Sequence, residues 1–223
     1  MKTGRGHAPE AWKDKLEAQL SASERQLLSG MDSPAAIQAF LNTVPYSEDK
    51  FYRCPLRLLR DRKGHCFDGA LFAALALRRL GHPALILELI PNERDDDHIL
   101  ALFKQNGGWG AVAQSNFTGL RYREPVYRSL RELVMSYFED FFNSAGEMTL
   151  RGYRGPIALK TFDRLDWSIS NAGLETLADG MDRYRVHPVL TAEMAAALTL
   201  ADERSVKAGL LGANSRGLFE VPD

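Results

Sequence analysis

The most informative stretch of the chain is GHCFDGALFAALALRRLG. It is uninterruptedly apolar from Ala70 to Leu77, so a helix here, from about Phe67 to Leu80, is expected to be buried on every side. Gly81 follows as a C-terminal cap, and Arg78 and Arg79 fall in the last turn, where cations suit the helix dipole. Three segments of strand length and composition come next: ALILELI (84–90), HILALFKQ (98–105) and WGAVAQS (109–115). Asn106-Gly107-Gly108 joins the last two as a tight hairpin. The order helix, strand, strand, strand, with at least one antiparallel pair, implies a helix packed on an antiparallel sheet.

The flanks read as helical additions. Residues 9–29 carry Trp12, Leu16, Leu20, Leu27 and Leu28 as the sparse apolar set of one polar amphipathic helix. Asp32-Ser33-Pro34 opens a second helix, AAIQAFLNTV, which Pro45 closes. Downstream, REPVYRSLRELVMSYFEDFFN has helical spacing, with Tyr137, Phe138, Phe141 and Phe142 as core. TLRGYRG and IALKTFD form a strand pair, and helices over about 171–184 and 191–208 finish the chain. The fold class is therefore α+β. The whole chain, 1–223, reads as one domain with its core at about 31–130, a helical lead-in at 1–30 and a mostly helical addition at 131–223. A second small lobe over 131–223 is the alternative division.

Composition narrows the partners without naming one. The 223 residues are 45% hydrophobic and 26% charged, with a net charge of −1. A chain of this size is expected to bury roughly 70% of its unfolded surface. So balanced a charge gives no overall field to attract nucleic acid or anionic lipid. Its longest apolar run is too short to span a bilayer. Arg121, Arg123, Arg128 and Arg131, with Tyr122 and Tyr127, form a basic and aromatic cluster. Glu124 and Glu132 interrupt it, so it reads as a salt-bridged surface or subunit contact. Two cysteines, Cys54 and Cys66, make no disulfide framework. The opening residues hold no apolar segment of signal-peptide length, and a reduced, cytoplasmic protein is expected. Oligomeric state is not legible.

Candidate chemistry centres on Cys66. At the first turn of the buried helix, unpaired N–H groups stabilise a thiolate and can donate to an oxyanion; Asp68 opposes this. Cys54 reads as packing. His98, at the start of the second strand, is the candidate base, placed to lean over the helix mouth. His65 is the spare, pointed away by its adjacency to Cys66, and His7, His82 and His187 have loop or turn contexts. A metal site at Asp96 and His98 is a rival reading that lacks further convergent ligands. A third member would orient the imidazole. A two-residue turn at Asn106-Gly107 pairs positions summing to 213 and sets His98 opposite Ser115. A three-residue loop, 106–108, makes the sum 214 and sets His98 opposite Asn116, with Gln114 diagonal. Opposed Cβ atoms lie about 5 Å apart, and an Asn oxygen can hold an imidazole N–H. Asn116 is the preferred member and Ser115 the weaker one.

GHCFDGALFAALALRRLGHPA, then DHILALF, then GGWGAV resembles the transglutaminase-like superfamily over about residues 60–118. That resemblance implies a papain-like core, Cys66 as nucleophile and His98 as general base. It also implies a second oxyanion donor on an upstream aromatic, Tyr46 or Tyr52. The pattern departs at Ala113, where such proteins commonly carry an Asp four residues after the Trp. The expectation is a cysteine-dependent acyl-transfer enzyme that acts on an amide or peptide bond, as hydrolase or transamidase, with no cofactor. The alternative, favoured by Ala113, is a catalytically degenerate domain serving as a binding or assembly module for a protein partner.

Overall fold

The computed structural model describes residues 11–222. The apolar run forms the middle of α5 (Cys66–Arg79), in which every residue from Cys66 to Leu77 is buried. Leu80 caps the helix and Gly81 follows with φ +91°. The Gly81 N–H reaches Arg78 O and the His82 N–H reaches Leu77 O, which satisfies two otherwise orphaned carbonyls. At the other end, the Asp68 carboxylate accepts the His65 backbone N–H at 3.3 Å.

This helix lies on an antiparallel six-stranded sheet of β1 (Leu85–Pro91), β2 (His98–Gln105), β3 (Gly108–Val112), β4 (Arg123–Tyr127), β5 (Leu150–Ala158) and β6 (Val186–Pro188). Their spatial order is β4-β3-β2-β1-β5-β6. Side-chain alternation divides the sheet between two apolar clusters. Ile86, Ile99, Ala101, Phe103 and Val112 pack with α5 on one face. Leu87, Leu89, Leu100, Leu102 and Ala111 pack on the other face, against Leu133 and Val134 of α6 (Leu130–Met135) and against Tyr137 and Phe141. The cluster on the α5 face also contains Leu16, Leu20 and Leu28 from the start of the chain, Ile37 and Leu41 of α3 (Pro34–Leu41), Trp167, and Leu174 and Leu177 of α7 (Leu174–Met181).

Several elements differ from their sequence reading, each for a local reason. The described part of 9–29 is two helices, α1 (Ala11–Gln19) and α2 (Ala22–Ser29). Ser21 breaks the run by forming a reciprocal cap with Glu24. The expected hairpin of TLRGYRG and IALKTFD is one strand, β5, followed by a 3-10 helix at Leu159–Leu165; the strand passes through Gly155 at φ +132° with a local shift of register. REPVY is the edge strand β4 rather than helix; Pro125, which has no N–H, is tolerated at an edge. The region 191–208 splits into α8 (Ala192–Ala196) and α9 (Glu203–Gly209), the latter capped by Asp202. Strand β3 stops at Val112 because the Gln38 amide takes over both the N–H and the carbonyl of Ala113, each at 3.0 Å.

Gly69 shows how closely α5 approaches the chain beyond β3. A Cβ there would lie 2.2 Å from Gln114 Cβ. Alanine normally favours a helix interior by about 1 kcal/mol over glycine. Overpacking costs ~1–3 kcal/mol, and the blocking atom sits next to backbone, where little can give. Gly69→Ala is therefore expected to lower the urea midpoint, and a raised midpoint would contradict this packing.

Candidate active site

Two side chains with no water contact organise the mouth of α5. Asp68 and Arg53 are 0% and 1% exposed. The Asp68 carboxylate accepts the Arg53 backbone N–H at 2.7 Å, and the Arg53 guanidinium lies 3.7 Å from it. The same guanidinium binds Asp61 at 3.0 Å and also Asp49. Burial pushes the Asp68 carboxyl up to about 7 against the pull of these N–H groups. The network pins the segment before α4 (Pro55–Asp61) over the helix mouth, and that segment delivers Tyr46 and Tyr52. The Tyr52 ring packs on His65 and Phe67. Tyr46 lines the groove beside Cys66, and burial, with Cys66 and Asp96 nearby, holds its phenol well above the ordinary value.

Cys66 sits on the floor of an open groove of about 860 Å³, whose wall includes Tyr46, Asp96, Asp97, Glu88 and Arg154. Its Sγ is 3.8 Å from the Asp97 carbonyl oxygen, toward which the thiol donates, and the Ile99 backbone N–H approaches the sulfur. Burial pushes the thiol well above its ordinary value, and the carboxylates of Asp97, Asp96 and Asp68 push the same way. This reverses the expectation of a depressed thiol: burial, reinforced by three acids, works against the helix dipole. Burial, with Asp96 and Glu88 beside it, raises the Asp97 carboxyl to about 7. Glu88 lies beside Asp97 and accepts Arg154 Nη1 at 2.9 and 3.0 Å, and burial raises its own carboxyl against that pull. Arg154 also holds Asp182 at 2.8 Å.

The expected base is elsewhere. In β2 the odd positions face α5, so His98 shares the opposite face with Leu100 and Leu102. Its Nε2 is 2.7 Å from Leu120 O, and burial lowers the imidazole to about 4. The hairpin has the two-residue turn, with Gln105 opposite Gly108 and Ala101 opposite Val112. Asn106 and Gly107 occupy the left-handed region at φ +51° and +86°, as such turns require. The register that sets Asn116 against His98 is not formed. Asn116 instead binds both the N–H and the carbonyl of Asn214, at 2.8 Å each. Ser115 Oγ accepts the Phe117 N–H, and Ala113 packs on the His98 face. Cys66, His98 and Asn116 are thus not brought together. Nor do Asp96 and His98 converge, since Asp96 lines the groove and His98 does not. Among the described residues no cluster has the makings of a metal site.

The remaining candidates have structural surroundings. His65 lines the groove beside Cys66, its ring 3.5 Å from Asp68 and lowered to about 4 by burial and by Arg53. His82 meets Phe103, His187 stacks on Tyr153, and Cys54 is buried in the core. His7 lies outside the described residues. Arg123 binds Asp140 and lies over the Tyr137 ring, while Arg121 and Arg131 reach backbone carbonyls. No helix among the described residues is long and apolar enough to cross a membrane. Sequence reasoning missed Asp97, Glu88 and Arg154. The available signal was parity: whichever face Ile99 presents, Asp97 shares it and His98 does not.

The His98 environment has a pH signature. The folded chain holds this ring below its ordinary value of about 6.5, so between about 6.5 and 4 the unfolded chain binds more protons. Stability therefore falls as pH drops through that window, the loss being complete below both values. His98→Gln, which keeps a donor for Leu120 O, is expected to show a smaller drop in urea midpoint from pH 6.5 to 4 than the unaltered chain. Equal drops would place the ring in a solvated setting instead.

No family model matches the chain, and no curated protein matches it. Among solved structures the chain is similar to EGTA-treated LapG of Legionella pneumophila, with 13% identity and a TM-score of 0.34, over 48% of this chain and 69% of that one. Its similarity to the calcium-bound form of LapG has the same identity and TM-score, over 48% and 71%. The likeness is distant, and the chemistry rests on the groove itself.

Proposed function

We propose that the chain is a cysteine-dependent acyl-transfer enzyme acting on an amide or peptide bond, with Asp97 as the proton acceptor in place of His98. The observation that carries this reading is the convergence of the Cys66 thiol, the Tyr46 hydroxyl and the Asp97 carboxyl on one groove. A buried helix followed by antiparallel strands is also the element order of a transglutaminase-like, papain-like core, which supports the same class. A thiol held protonated does not work as a preformed thiolate. It works as a serine hydroxyl does, by losing its proton as it attacks, and a base near 7 suits that task.

In this scheme the Asp97 carboxylate removes the Cys66 proton while sulfur bonds to the carbonyl carbon. The Cys66 N–H and the Tyr46 hydroxyl donate to the developing oxyanion. Asp97, now a carboxylic acid, protonates the amine nitrogen as the C–N bond breaks, leaving a thioester. Water or a second amine then attacks, giving its proton to Asp97, and the thiol is restored. Glu88, bonded to Arg154, stands beside Asp97 and raises where it titrates. His98 and Asn116 have no part in this scheme.

A second reading, a binding or assembly module on a degenerate site, is favoured by one observation: the imidazole is bonded to Leu120 O across the sheet from the thiol. Acylation by p-nitrophenyl acetate separates the two, with nitrophenolate release as the rate and peptide mass as the site. The enzyme reading expects a Cys66 thioester whose rate rises through about pH 7 as Asp97 ionises. Asp97→Asn should lower that rate by ~100-fold, and His98→Gln should leave it unchanged. Acylation that follows only the thiol's own ionisation, unaffected by Asp97→Asn, would leave the binding module as the function.

A further inference from the structure

One wall of the Cys66 groove is made by the chain's own late segment. Residues 216–220 line the groove alongside Tyr46 and Cys66. The segment has no α-helix or strand after α9, only a short 3-10 turn at Ser215–Gly217. It is held at two points. At one, Asn116 clamps Asn214 with paired hydrogen bonds, and Asn214 Nδ2 donates to Tyr46 O at 3.1 Å and to Glu48 at 3.0 Å. At the other, Arg94 Nη1 donates to Pro222 O at 2.6 Å. Between them Gly217 lies flat on the Tyr46 ring, where a Cβ would come within 2.9 Å of Cδ1.

These contacts are polar and peripheral. No residue from 211 to 222 is buried, and Phe219 is 37% exposed. A segment held by hydrogen bonds and not by apolar burial opens at little cost. It also rests on Tyr46, which lines the groove beside Cys66, so lifting it uncovers that ring. We infer that residues 214–222 are an intramolecular strap that occupies part of the groove, limits the approach of bulky molecules to Cys66, and is displaced when a peptide takes its place. The strap's own chemistry describes its competitor: a peptide that turns over Tyr46 with a glycine and carries a basic residue just before it, as Arg216 meets Glu48 at 3.2 Å.

This inference takes from the proposed function only that the groove is where ligands bind, and its test reads access to the thiol and no acyl transfer. The full chain and its Gly217→Leu and Asn214→Ala variants would be alkylated at one pH with iodoacetamide and with a bulky polymer-linked maleimide. Modification at Cys66 is followed by peptide mass. The ratio of the two rates cancels any change in thiol ionisation. If the strap is lifted in about a tenth of wild-type molecules, displacing it raises bulky-reagent access about tenfold. Both variants are expected to raise the ratio on that scale, with thermal unfolding unchanged. A synthetic peptide of residues 212–222 is expected to return it toward the wild-type value. A ratio unmoved in both folded variants, or one that the peptide leaves raised, would overturn the strap.

Discussion

The structure turns on a carboxyl buried at the third position of its central helix. Removing Asp68 from water is costly, and the cost is offset only because Arg53 and two backbone N–H groups close around it. That closure fixes the segment 46–53 over the helix mouth and brings Tyr46 to the groove beside Cys66. The groove is a by-product of satisfying one acid. Burial, reinforced by this acid with Asp96 and Asp97, raises the thiol well above its ordinary value, so the element that shapes the site also bears on the state of its sulfur.

The sheet supplies the second constraint. Alternation along β1 and β2 sends Glu88 and Asp97 toward the helix and His98 away from it. The imidazole then finds a carbonyl, Leu120 O, inside the opposite core. Glu88 and His98 each find a partner where they lie, so nothing in the packing favours bringing His98 back over the thiol. Arg154 completes the helix-side cluster from β5, a strand more than fifty residues later in the chain.

Much of the core was legible because it rests on local signals. The uninterrupted apolar run gave α5 to within a residue at either end, and Gly81 and the Asn106-Gly107 turn fell where their backbone freedom is needed. The assignment of faces was not legible. Every residue from His98 to Phe103 is buried, so apolar character does not alternate, and nothing in the string says which side meets the helix. Asn116 could be paired with His98 only by one of two loop lengths, and the turn took the other. Its real partner, Asn214, is 98 positions away, beyond any pattern a local reading can use. The strands at 123–127 and 150–158 were misread for a similar reason. Pro125 and Gly155 look like interruptions in sequence, and an edge or an irregular register absorbs both.

Burial of β2 on both sides has an evolutionary consequence. A strand with one wet face cannot shift by a single residue without exposing its core. Here such a shift would exchange one apolar set for another, Ile99, Ala101 and Phe103 for Leu100 and Leu102, and would turn His98 toward Cys66 in the place of Asp97. The hydrophobic pattern scarcely resists that exchange; the two-residue turn at Asn106-Gly107 and the length of the acidic loop before His98 oppose it. One inserted or deleted residue on each side of this strand is thus a short mutational route between a carboxyl and an imidazole facing the thiol on the same scaffold.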